Sequence, residues 1–192
     1  MLTNRQLFLL HLGQTSPAPL MLEIEKAEGV YLFGTNGEKY IDLISGVSVS
    51  NTGHRHPKVV KAVKDQVDAY LHLMVYGEMI QSPQVKYAER LASILPRNLG
   101  CCYFVNSGSE AIEGALKLAK RFTGRSRIIY FTNSYHGSTH AALSIQGSET
   151  YRNAFRPLLP DTWEIAFNDF EALNIIDEKT ACVVIEPVQA EA

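Results

Sequence analysis

The 192-residue sequence is short of cysteine, of charge excess and of long apolar runs. Its three cysteines are Cys101, Cys102 and Cys182, two adjacent and one inside an apolar stretch. They give neither a disulfide framework nor a Cys-x-x-Cys metal pair, and they suit a reducing, cytoplasmic compartment. Eighteen basic residues face twenty acidic ones, and no cluster of Lys or Arg stands out. That balance argues against a nucleic-acid partner and against an anionic membrane surface. No apolar run approaches the roughly 20 residues needed to cross a bilayer. At the start, MLTNRQLFLLHLGQ is broken by Thr, Asn, Arg, Gln and His and shows no small-residue cleavage site, so it does not read as a secretory signal.

What is present is an ordinary globular composition, punctuated by a few informative segments. Residues 1–20 predict a lead-in helix closed by Pro17 and Pro19. Val30–Phe33 and Lys39–Leu43 flank Gly34-Thr35-Asn36-Gly37, the pattern of a β-hairpin. The segment SGVSVSNTGHRHP is a loop of the kind that comes close to a ligand. His54 and His56 within it stand at i, i+2, without carboxylate or Cys ligands beside them in sequence, and are not read as a metal set. Pro57 opens a helix running towards Leu71, and a second helix spans about 83–95. Between them lies the irregular HLMVYGEMIQSP, whose Tyr76 is a candidate for ligand contact or for core packing.

The stretch CCYFVNSGSEAIEGALKLAK, residues 101–120, organises the rest. A β-prone run at Tyr103–Val105 breaks at Asn106-Ser107-Gly108-Ser109 and passes into apolar residues at helical spacing. The pattern reads as strand, turn, helix. Ser107 and Glu110 form a capping box that starts the helix just after Ser107. The free amides of Gly108 and Ser109, the hydroxyls of Ser107 and Ser109 and the positive helix end together suit a phosphate. Further on, Ile128–Phe131 predicts a buried strand and Tyr135-His136-Gly137 its exit turn. Residues 147–163 read as loop, 170–176 as a short helix, and Ala181–Ile185 as a strand covered on both faces. Strands alternating with helices imply an α/β doubly wound layer, whose ligands bind beyond the carboxyl ends of the strands. Three such ends carry Ser107-Gly108-Ser109, Tyr135-His136-Gly137 and Glu186-Pro187-Val188-Gln189. A phosphate cup, an aromatic plane and a carboxylate suit a flat, phosphorylated, nitrogen-containing ring such as pyridoxal 5'-phosphate.

The blocks YIDLISGVSVSNTGHRHPKVV, NSGSEAIEGALKLAKRFTGR, YHGST and VVIEPVQAEA, in this order and at these separations, resemble the N-terminal part of the class III (fold type I) pyridoxal-phosphate aminotransferases. That group includes the acetylornithine, ornithine and 4-aminobutyrate aminotransferases. The resemblance implies a large-domain, mostly parallel sheet with helices on both faces. It assigns residues 1–55 to a helix-and-hairpin segment of the small domain and residues 56–192 to an incomplete cofactor-binding large domain. Gly108 and Ser109 would hold the cofactor phosphate, with Ser107 bordering the turn. Tyr135 would stack on the ring, His136 and Gly137 would shape that contact, and Glu186 would lie nearby. Val47 and Glu191 would face substrate, Glu191 through an arginine further along. Val47 stands where ornithine ω-aminotransferases carry tyrosine. Ala190 replaces the usual Gly or Ser, and Ser138 a common Arg, departures that bear on substrate choice.

The family's Schiff-base lysine and its pyridine-nitrogen aspartate would both lie beyond Ala192. Lys117 and Lys120 lie on the phosphate helix and do not match that lysine. The chain is therefore expected to be the truncated, catalytically incomplete part of a homodimeric enzyme. Its expected reaction transfers an amino group from N-acetylornithine or another donor with a distal amine to 2-oxoglutarate. Aminomutase or decarboxylase chemistry, and a non-catalytic cofactor-binding or dimerising module, stand as alternatives.

Overall fold

The computed structural model describes residues 1–74 and 77–191, and its contacts divide the chain into two compact units, Met1–Gln81 and Ser82–Ala192. The contacts thus group residues 56–81 with the hairpin rather than with the residues that follow.

In the first unit, helix α1 (Asn4–His11) is capped by Thr3 in a reciprocal box with Gln6. Strands β1 (Ile24–Glu28), β2 (Tyr31–Gly34) and β3 (Lys39–Ile41) form an antiparallel sheet, in which the predicted hairpin is β2–β3. Helix α2 (Pro57–Ala69) starts on its proline. Between sheet and helix, Ser45, Gly46, Val47 and Ser48 all have positive φ, forming a left-handed turn. Asp42 anchors that turn, its carboxylate accepting the amides of Ile44 (3.1 Å) and Ser45 (2.8 Å). The same carboxylate meets His54 Nε2 at 2.7 Å, so the loop histidine does have a carboxylate neighbour, brought from twelve residues away by the chain's return. A bridge between Gly29 and His54 fixes that return.

The second unit opens with helix α3 (Ser82–Ile94) and is built on a parallel sheet in the order β5–β4–β6. The central β4 (Arg127–Phe131) pairs with β5 (Thr162–Ile165) and β6 (Thr180–Val183). Side chains of β4 alternate between two cores. Ile128 and Tyr130 pack with Leu116 of helix α4 (Gly108–Thr123) and with Ile145, which ends helix α5 (His140–Ser144). Ile129 and Phe131 pack with Ile165, Phe167 and the 3-10 turn Glu171–Ile175. Being covered on both sides is why this strand reads as an unbroken apolar run. Each such side chain withdrawn from water stabilises the fold by about 2 kcal/mol.

Three expectations are corrected. Tyr103–Val105 forms no strand, because no strand of the described residues pairs with it; Phe104 instead stacks on Tyr87 of α3 at 5.7 Å. Residues 147–163 are not a plain loop: they hold helix α6 (Glu149–Arg152), a 3-10 turn and the start of β5. The last strand stops at Val183 rather than Ile185.

Candidate functional site

Helix α4 begins where the sequence places it. Ser107 is the N-cap, in extended conformation, and its Oγ accepts the Glu110 amide at 3.2 Å. The return bond of the expected box goes one residue further back: Glu110 Oε2 accepts from the Asn106 amide (2.7 Å) and from Asn106 Nδ2 (3.1 Å). Drawn back towards Asn106, the carboxylate is held away from the open first turn. The amides of Gly108 and Ser109 find no acceptor among the described residues, and a Cβ placed on Gly108 would meet no atom within 4 Å. Two free donors at the positive end of a sixteen-residue helix, facing open space, form an anion cradle.

The opposite wall is the loop leaving β4. Ser107, Gly108, Ser109 and Ile112 on one side and Tyr135, His136 and Gly137 on the other enclose a cleft of about 450 Å³. The two walls touch. The Ser138 amide donates to Ser109 Oγ at 3.3 Å, and Gly137, at φ +117°, lies so close to Ser109 that an added Cβ would fall 3.1 Å from its Cα. Ser109 Oγ, already accepting, keeps its own proton to donate into the cleft. Tyr135, on the cleft wall, is 43% exposed.

Glu186, just past β6, holds this loop from beneath, since its carboxylate accepts the Tyr135 amide at 2.9 Å. Gln189 also braces the sheet end, donating from Nε2 to the Thr132 carbonyl at 2.7 Å. His136 is buried, and burial pushes its imidazole below the ordinary histidine value, partly opposed by the Glu186 charge. Its Nε2 is one of the buried polar atoms without a partner. Glu191 lies in a separate polar pocket of about 260 Å³ with Tyr135, Ser148 and Tyr151. Tyr135 thus forms part of both walls.

Of the residues singled out from sequence, the second unit brings Ser107, Gly108, Ser109, Tyr135, His136 and Gly137 to one cleft, with Glu186 behind and Glu191 to one side. Val47 lies in the first unit at φ +59°, 72% exposed. Tyr76 lies outside the described residues. Sequence reading missed Glu113. Its Oε1 accepts the amides of Ala141 (2.8 Å) and Ala142 (3.3 Å), joining α4 to α5. The signal was its position four residues after Ser109, which sets both side chains on the same face of the helix.

A family model described as Aminotransferase class-III matches residues 13–192. The chain belongs to the class III aminotransferases. Among relatives of this class III chain, the acetylornithine aminotransferase of Methanopyrus kandleri is 40% identical over 185 residues, covering 95% of this chain and 46% of that protein. The acetylornithine aminotransferase of Archaeoglobus fulgidus is 39% identical over 170 residues, covering 88% and 44%. The class III chain therefore spans about half the length of the relatives it matches. Among solved structures, the ornithine aminotransferase of Toxoplasma gondii, described with partial occupancy of PLP at its active site, superposes with a TM-score of 0.78. It is 27% identical, with 95% of this chain and 44% of that one covered.

Proposed function

We propose that this chain carries the cofactor-binding part of a pyridoxal 5'-phosphate-dependent aminotransferase, with the phosphate at the start of α4. The observation that carries the reading is the meeting of the free Gly108 and Ser109 amides, the Ser109 hydroxyl and the Tyr135 ring around one cleft. The donor set fits a dianion, and the exposed aromatic residue fits a heterocycle attached to it. Gly108 and Ser109 would bind the phosphate and Ser107 would keep the helix end in register. Tyr135 would cover the ring, while His136 and Gly137 set the height of that cover. Glu186 orients Tyr135 through its backbone. When bound, the cofactor supplies an electron-withdrawing ring through which an amino group leaves one carbon skeleton and joins another.

The donor class follows the relatives. Two of them are named for acetylornithine and the solved neighbour for ornithine, both substrates with a distal amine. We assign the chain an ω-amino donor, N-acetylornithine or a relative of it, with 2-oxoglutarate as acceptor, and place Val47, Tyr76 and Glu191 along the substrate path. Residues 1–55 would belong to the small domain and residues 56–192 to the start of the large domain. The lysine that anchors the cofactor would come from sequence outside these residues. The assembly would be a cytoplasmic homodimer.

The test uses the full-length protein. It should turn yellow with pyridoxal 5'-phosphate and form glutamate from 2-oxoglutarate with a distal-amine donor. Absence of cofactor binding overturns the site, and cofactor binding without glutamate from any such donor overturns the substrate assignment.

A further inference from the structure

Glu113 lies one helical turn beyond Ser109 and outside the cleft, and sequence reading gave it no role. It is half-buried and makes more contacts than a solvated helix glutamate needs. One oxygen, Oε1, accepts two successive amides of α5, those of Ala141 at 2.8 Å and Ala142 at 3.3 Å. Burial pushes its acidity down, yet the Thr139 hydroxyl, the two amides and the nearby His140 outweigh burial, so the carboxyl sits below the usual range and stays ionised.

Helix α5 begins three residues after Gly137 and continues directly from the Tyr135–Ser138 loop. Thr139, at its N-cap, makes no side-chain cap bond to the α5 backbone. The capping charge therefore comes from α4, the helix that offers its own first-turn amides to the cleft. Two ties now join these elements. Ser109 Oγ holds the Ser138 amide where the loop ends, and Glu113 holds the α5 amides just beyond it. With Glu186 holding the Tyr135 amide at the start of the loop and these two ties fixing its end to one rigid helix, the loop has a set height above the Gly108 and Ser109 amides.

We propose that Glu113 is a positioning residue for the cofactor site, tying α5 to α4 and thereby fixing the spacing between the phosphate amides and the Tyr135 ring. The proposal rests on the cofactor reading above. It makes a distinction that a purely structural glutamate would not. Loss of the tie leaves the amides of α4 intact, so a ligand that uses only the amides is unaffected, whereas one that spans amides and ring is penalised.

The experiment compares wild type, Glu113→Ala, Glu113→Gln and Thr139→Val in the full-length protein freed of cofactor. Pyridoxal 5'-phosphate is titrated directly, and inorganic phosphate is titrated as its competitor. Visible circular dichroism reports the setting of the bound ring. Glu113→Ala should weaken the cofactor about tenfold and reduce its ellipticity, with phosphate affinity changed less than about twofold. Glu113→Gln keeps an oxygen able to accept both amides and should recover most of the affinity. Thr139→Val, which removes the hydroxyl that helps hold the Glu113 carboxyl below its ordinary value, should fall between wild type and alanine, and it serves if the alanine variant does not fold. Equal cofactor and phosphate losses, or wild-type affinity and ellipticity in both the alanine and valine variants, overturn the proposal. A wild-type protein that fails to bind the cofactor overturns the underlying site reading instead.

Discussion

Replacing Gly137 with alanine is the sharpest perturbation of the cleft, because it acts where its two walls touch. The residue sits at φ +117°, a region that L side chains enter at a cost of about 1–3 kcal/mol. The new methyl would lie 2.1 Å from Ser109 Oγ, 2.8 Å from its Cβ and 3.1 Å from its Cα. The hydroxyl can rotate aside, but Cβ and Cα are fixed by α4, and crowding of this kind costs about 1–3 kcal/mol more. Part of each penalty relaxes by lifting the loop off the helix, so a net loss of about 3 kcal/mol is expected. That movement stretches the Ser138–Ser109 bond, 3.3 Å in the native protein, and raises the Tyr135 ring above the phosphate amides. Urea denaturation of the full-length protein should show a lower midpoint with an unchanged slope. Titration should show cofactor affinity reduced at least tenfold, with phosphate affinity nearly preserved. A Gly137→Ala protein of native stability and native cofactor affinity would refute the reasoning outright. A loss of stability with intact cofactor affinity would refute the part that links loop height to ring binding.

Other substitutions separate the remaining parts. Ser107→Ala removes the oxygen that accepts the Glu110 amide and should cost about 1 kcal/mol in denaturant unfolding. Ser107→Asp should keep the cap and the stability, yet weaken cofactor binding, because it sets a negative charge beside the anion cradle. Gly147→Ala would place a methyl 2.3 Å and 2.5 Å from the Asn133 and Ser134 amide nitrogens and 2.6 Å from the Phe131 carbonyl oxygen. All three are backbone atoms that cannot rotate away, so thermal unfolding should register a loss of about 3 kcal/mol. His136, held neutral by burial, takes up its proton more readily when unfolded. Stability should therefore fall as pH drops below about 6.5 towards the lower folded value, and His136→Phe should flatten that fall. Removing the opposing charge with Glu186→Gln should move the His136 NMR titration to still lower pH; no movement contradicts the assigned influence of that charge.

Local chemistry made part of this architecture legible. The helix start at Ser107 is written in its cap, the hairpin in Asn36-Gly37, and the central strand in four apolar residues that serve two cores. What escaped the sequence depends on distant pairing. The short β5 holds a polar and partly exposed stretch, Thr162-Trp163-Glu164, and follows two prolines, so only its ladder with β4 makes it a strand. Tyr103–Val105 shows the reverse: β-prone side chains form no strand without a neighbour. The same holds at the sites. Amide donors at a helix end can be read from spacing. The Asp42–His54 contact, the Glu186 carboxylate under Tyr135 and the Glu113 tie all join residues distant in the chain; helical spacing can set Glu113 on the face of Ser109, but no periodicity names the partners.

The central claim is that a phosphate sits on the amides of residues 108 and 109 with its ring under Tyr135. A crystal structure of the full-length protein grown with pyridoxal 5'-phosphate tests it most directly. The account predicts phosphate oxygens within about 3 Å of the Gly108 and Ser109 amide nitrogens and the pyridine ring against Tyr135. A phosphate bound elsewhere, or a ring that leaves Tyr135 uncovered, contradicts it.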